Sequence, residues 1–173
     1  MNKKSKHKTV IGRTADIAII SEGIKNIPAK IDTGADGSAI WASRLSMTDD
    51  YALRYCLFDE QSPFFTGKIH ETSDYDTVAV RSAHGTMQIR YRVKITIELA
   101  GRRVKGTFTL ADRSENTYPI LMGCKLLYGK FLVDVSQGDI VRKKHPTDLK
   151  NELQKDPKAF FDKYHKHNHR GDC

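Results

Sequence analysis

"AKIDTGADGSAI", residues 29–40, decides how this chain is read. The run sets one acid, Asp32, between a strand-like stretch and a tight turn, and small residues follow that leave the backbone approachable. Asp32 can activate water. Thr33 can brace the loop by a local hydrogen bond, and Gly34 allows a sharp turn close to a ligand. Water attack on an amide needs two carboxylates sharing a proton, because one acts as base while the other polarises the carbonyl. Like charges about 3 Å apart cannot both ionise. The sequence holds a single Asp-Thr/Ser-Gly triplet. A dyad therefore requires two chains on a two-fold axis, each contributing its Asp32.

Working outward from the triplet, the neighbouring segments are β in character. "TVIGRTADIAII" and "IPAKIDTG" read as a hairpin turning at Ser21–Lys25, with Asp32 at its exit. In "TMQIRYRVKITIEL", 86–99, apolar residues alternate from Met87 to Leu99, the pattern of a long half-buried strand. "AGRR" turns the chain, and Val104, Phe108 and Leu110 resume the inward phase. "VAVRSAHGTMQI" makes another hairpin with Ser82–Gly85 at its tip. "YPILMGCKLLYGKF" gives a short strand, a glycine and a brief helix, and "FLVDVS" returns to strand. Residues 44–75 show weak periodicity and read as an irregular insertion with room for a short strand, while Trp41 reads as core. Thr147 and Asp156 are candidate helix caps, with Pro157 in a first helical position.

The 173 residues suit one ordinary domain with extensions: a basic tail at 1–8, a domain at 9–140 and a basic, partly helical extension at 141–173. Three cysteines without CxxC spacing argue against a disulfide framework and read as free thiols in a reducing, cytoplasmic setting. No apolar run is long enough for a spanning helix, so no membrane partner is expected. The net charge of +8 favours an anionic partner, but it gathers at the ends and in the strands; residues 44–79 hold seven acids against three bases. Arg90, Arg92, Lys94, Arg102, Arg103 and Lys105 read as a solvated sheet face, and nucleic acid is not the expected partner. His165, His167, His169 and Cys173 in the tail lack fixed geometry, so neither metal nor cofactor is expected. Phe160, Phe161 and Tyr164 read as the apolar side of a docking helix.

In four ordered features the chain resembles the retropepsin-like aspartic proteases, single-domain enzymes that act as homodimers. An opening hairpin leads to "KIDTGAD", a glycine-containing hairpin "RSAHGTMQIRYRV" stands where the family keeps its flap, the long hairpin "ITIELAGRRVKGTFTLAD" follows, and "PILMGCKLL" closes the set. The resemblance covers roughly residues 9–140 and is nearest to the bacterial RimK/LysX-type branch, whose older label is "ATP-dependent zinc protease". Neither a Walker loop nor an HExxH motif supports that label.

The resemblance implies an all-β retropepsin-like fold and an endopeptidase that cleaves a peptide or protein substrate at a homodimer axis. It implies Asp32 as catalytic acid, braced by Thr33 and Gly34. Ala35 and Asp36 would line the cleft, with Asp36 as an ordinary turn carboxylate for the plain alternative. Ser82, Ala83, His84 and Gly85 would form the flap tip, and Gly123 would pack beneath the active-site loop. It also implies association with ATP-grasp glutamate ligases, hence a glutamate-rich tail as substrate. One departure concerns Cys124, where the family usually has an arginine that pairs with the loop acid. A thiol cannot form that bidentate bond, so Asp36 must find another partner or stay solvated, and no matched histidine makes Cys124 a nucleophile. A non-catalytic basic β-barrel that binds RNA or acidic protein, a monomeric inactive protease fold and a zinc peptidase remain as rival readings.

Overall fold

The computed structural model describes residues 7–81, 87–138 and 147–165. Eleven strands dominate it: β1 (Thr9–Ile11), β2 (Thr14–Ile19), β3 (Ile24–Asp32), β4 (Ser38–Met47), β5 (Leu53–Leu57), β6 (Ile69–Thr72), β7 (Tyr75–Arg81), β8 (Met87–Leu99), β9 (Arg102–Ala111), β10 (Ile120–Gly123) and β11 (Phe131–Val133). A short helix, α1 (Cys124–Leu127), follows β10. The expected all-β fold is what the chain adopts.

Six strands close on themselves in the order β10, β3, β2, β8, β9, β4 and back to β10. Closure removes sheet edges and leaves an interior that side chains must fill. Ile17, Ile19, Ile27, Leu99, Phe108 and Ile120 fill it, each almost wholly buried. Burial of such a side chain is worth about 1.5–3 kcal/mol, so the alternating pattern of the sequence is also the main source of stability. β10 is the inserted piece. It runs parallel to β3, pairing Gly123 with Asp32, and antiparallel to β4, pairing Ile120 with Ile40. The loop carrying Asp32 therefore joins two strands that are held apart by a third.

The opening hairpin forms as expected, turning through a single 3-10 turn at Ile20–Glu22 and then Gly23 at φ 67°. Its first arm is interrupted, however. Thr9–Ile11 leaves the hairpin to pair in parallel with β11. The break falls at Gly12, where an added Cβ would lie 2.7 Å from the Gln137 carbonyl oxygen, and Arg13 N–H donates to that same oxygen at 2.8 Å. Residues 44–75 are more regular than their composition suggests. β4 runs on to Met47, and β5 and β6 extend the sheet beyond it. Leu53, Cys56 and Leu57 are buried, and Thr48 closes the connecting turn by accepting from Ala52 N–H at 2.9 Å. Irregular spacing hid β5, which buries Cys56 on one face and Leu53, Tyr55 and Leu57 on the other.

Along β8 the alternation holds from Val93 to Leu99, whereas Met87 and Ile89 are 60% and 68% exposed. That end of β8, paired with β7, overhangs the barrel as a two-stranded arm. Its tip, Ser82–Gly85, lies outside the described residues. Trp41 is core, as expected. No helix among the described residues is long and apolar enough to cross a membrane.

A second compact unit lies toward the C-terminus, with α2 (Thr147–Lys155) and α3 (Pro157–His165). Asp156 caps α3 by accepting from Ala159 N–H at 2.9 Å, with Pro157 in the first turn as expected. Phe160 and Tyr164 put their rings 4.7 Å apart on α3. The tail residues His167, His169 and Cys173, and the side chain of His165, lie outside the described residues.

Candidate active site

Asp32 is the last residue of β3. Its Oδ1 accepts from Gly34 N–H at 3.0 Å, and its side chain is 26% exposed. This turn is what the Asp-x-Gly spacing encodes: the carboxylate folds back onto the amide two residues on. Thr33 and Gly34 lie exposed beyond it, and Ala35 N–H returns to Asp32 O at 3.3 Å.

Beneath the loop, β10 and α1 supply a frame. Gly123 N–H donates to the buried Ser38 Oγ at 3.0 Å. Cys124 N–H donates to Ala35 O at 2.7 Å and Lys125 N–H to Asp36 O at 3.0 Å. Gly123 fits because it has no Cβ: one built there would run into Gly37 O and stand 2.8 Å from Ala35 O. Gly123 thus lies against the backbone of the loop that carries Asp32. Ser38 was not singled out by sequence reasoning, although a serine six residues after the acid on a strand of apolar neighbours was its available signal.

Cys124 occupies the place where an arginine was expected. Its Sγ donates to Thr33 O at 3.0 Å, a tether to the loop in place of a charge. Asp36 takes its cation from the next residue instead: Lys125 Nζ lies 3.6 Å from Asp36 Oδ2, with both side chains largely exposed. A pair so exposed adds little stability. The loop is thus secured by backbone and thiol hydrogen bonds more than by charge.

A second cation stands still nearer the acid. Lys30 Nζ is 3.4 Å from Asp32 Oδ2. The period-two geometry of β3 places residues 30 and 32 on one face, a spacing the quoted sequence already contains.

From Asp36 a cleft of about 650 Å³ opens between the loop, the β7–β8 arm and β9. Asp36 and Asp76 line it against Arg90, Arg92, Lys105, Lys125 and Lys130. Arg92 is neutralised: it donates to both oxygens of Asp76 at 2.6 and 2.7 Å, which holds Asp76 below the usual carboxylate range. Arg90 donates to Gln88 Oε1 at 2.8 Å. Lys130 donates to the Leu126 carbonyl at 3.0 Å. Among the described residues Arg90, Lys105 and Lys130 have no carboxylate partner, so the cleft is net cationic. Arg113 adds to the crowding of positive charge, its proton affinity lowered by burial and then by Arg90. Asp32 itself stands outside the cleft.

Among the described residues no cluster of three or more His, Cys, Asp or Glu could hold a metal ion.

Known proteins resemble the chain in sequence and in fold. Two proteins named "Probable alpha-L-glutamate ligase", from Shewanella halifaxensis and Shewanella pealeana, are each 27% identical over 136 residues, or 77% of this chain. The chain spans only 30% of their length. A crystal structure of a Legionella pneumophila protein of unknown function (DUF785) superposes with a TM-score of 0.59 at 18% identity, covering 76% of this chain and 96% of that one. That likeness establishes the fold. Residues 10–145 match the RimB-like family, described as retropepsin-like aspartic endopeptidase RimB. With the matched segment running from the opening strands past β11, the chain belongs to the RimB-like family of retropepsin-like aspartic endopeptidases.

Proposed function

We propose that the chain is an aspartic endopeptidase that works as a homodimer, with water activated between the Asp32 carboxylates of two copies. The observation that carries this is the loop itself. One carboxylate, fixed by the Gly34 amide and partly open, ends a strand whose partner β10 frames the loop from below. A single chain has only half of the chemistry. Two copies placed loop to loop would share one proton between their acids, one oxygen taking a proton from water while the protonated partner polarises the scissile carbonyl. The β7–β8 arm would close over the peptide and thin the water around it. Apolar Val10 and Leu132 on the β1–β11 pair, half exposed, are suitable material for covering by a second copy.

The substrate we favour is an acidic, glutamate-rich protein tail. Arg90, Lys105 and Lys130 leave the cleft with uncompensated positive charge, which attracts such a tail. Relatives named as glutamate ligases carry a segment similar to this one within much longer chains, which supports association with an ATP-grasp glutamate ligase. Ser82–Gly85 would act as flap tip and Asp36 would hold substrate backbone.

The test is incubation of the purified protein with glutamate-rich and neutral peptides across roughly pH 3.5–7.5, the span in which paired carboxylates work, with products read by mass spectrometry. Cleavage is expected to vanish in Asp32→Asn and to ignore a chelator. Cleavage that survives Asp32→Asn refutes the mechanism. Equal turnover of acidic and neutral peptides refutes the substrate assignment.

A further inference from the structure

We infer that Lys30 reads the charge of the substrate side chain beside the bond being broken, so that an acidic residue is preferred there. This rests on the dimeric aspartic reading above. Lys30 and Asp32 share the outer face of β3, while Ala29 and Ile31 between and beside them are buried. The ammonium lies 3.4 Å from Asp32 Oδ2, and the lysine side chain is 52% exposed. In one chain the two charges cancel.

Pairing changes the count. Two copies bring two Lys30 ammonium groups, whereas two carboxylates that share a proton carry one negative charge between them. One positive charge is left over at the centre of the site, within ion-pair distance of the reacting acids. A Glu or Asp side chain next to the scissile bond supplies the missing negative charge; Gln or Asn does not. Lysine suits this task, since its flexible stem lets Nζ move from Asp32 to a substrate carboxylate without moving the strand. The cleft lysines cannot substitute for it. Lys105 and Lys130 lie in the cleft that opens beyond Asp36, so they would meet residues farther along the peptide.

Peptides of one sequence, with a single Glu or Gln either flanking the scissile bond or several residues away, separate the two sites. The enzyme is compared with Lys30→Met, Lys30→Arg and Lys105→Met, reading kcat/KM for turnover and, in an Asp32→Asn background, affinity by fluorescence anisotropy. For the flanking position a Glu-over-Gln preference of about fivefold is expected, the upper range for a partly exposed ion pair. It should fall to near one in Lys30→Met, return in Lys30→Arg and persist in Lys105→Met. A preference unchanged in Lys30→Met overturns the inference. If no peptide is cut by the unaltered enzyme, the endopeptidase reading fails and this inference falls with it, whereas cleavage whose preference is unchanged in Lys30→Met overturns the inference alone.

Discussion

Replacing Gly123 with alanine puts one methyl group where the frame of the active-site loop has no room. The new Cβ would run into Gly37 O, and would lie 2.5 Å from the Gly37 carbonyl carbon and 2.8 Å from Ala35 O. All of these are backbone atoms, so no rotamer change relieves the clash; the loop or β10 has to shift. Overpacking of this kind costs about 1–3 kcal/mol, and a backbone-only clash belongs at the upper end, about 3 kcal/mol. For a chain of this size each kcal/mol moves the melting temperature by about 2–4 °C, so a drop of roughly 6–12 °C is expected. Gly37→Ala is the matched control. Its Cβ would meet nothing within 4 Å, and the expected change is within about 0.5 kcal/mol. Thermal unfolding followed by circular dichroism compares the pair directly, and peptide turnover at a temperature where both are folded reports the loop. If Gly123→Ala melts within a degree or so of Gly37→Ala, the frame is looser than its geometry implies and the reasoning fails.

Removing the Ser38 hydroxyl by Ser38→Ala strips the Gly123 amide of its acceptor in a buried setting, and a loss of about 1–3 kcal/mol is expected in urea unfolding. Glu22 has a side chain only 1% exposed, with Lys68 Nζ at 3.1 Å and His70 Nε2 at 3.0 Å; Glu22→Ala should cost about 2 kcal/mol, less than for a fully buried pair because Lys68 is half exposed, and a denaturation midpoint equal to that of the unaltered chain would contradict this. Asp76 is held low by its hydrogen bonds from Arg92. The sign follows from a depressed carboxylate: its stabilisation is present above the unfolded value of 3.8 and is lost as pH falls through the lower folded value. Melting temperature below about pH 4 should accordingly fall less steeply in Asp76→Asn than in the unaltered chain.

Much of the barrel was readable because burial on one face writes a period of two. Val93 to Leu99 in β8 and Val104, Phe108 and Leu110 in β9 are such cases, and the turns after β2 and β8 fall in the stretches expected, with Gly23 and Gly101 at positive φ. β5 escaped because Cys56 and Leu57 are adjacent and both buried, which erases alternation. The split between β1 and β2 escaped because its cause is a carbonyl at Gln137, far along the chain. In the site, Asp32 and Gly34 were legible as a local turn, and Gly123 through the family resemblance. The partners of Asp36 and Cys124 were not: whether Lys125 reaches Asp36, or the thiol reaches Thr33 O, depends on how β10 enters between β3 and β4. Lys30 was in view throughout, and only its strand phase gave it meaning.

The placement of β10 also governs the order of events at birth. Ser38 and Gly123 are 85 residues apart, yet neither side of the loop is framed until they meet. On a ribosome, the segment bearing Asp32 emerges long before its frame exists, and β1 waits later still for β11. Such distant pairing makes for slow folding. A nascent or truncated chain ending before residue 120 therefore holds the acid without the mould that shapes it.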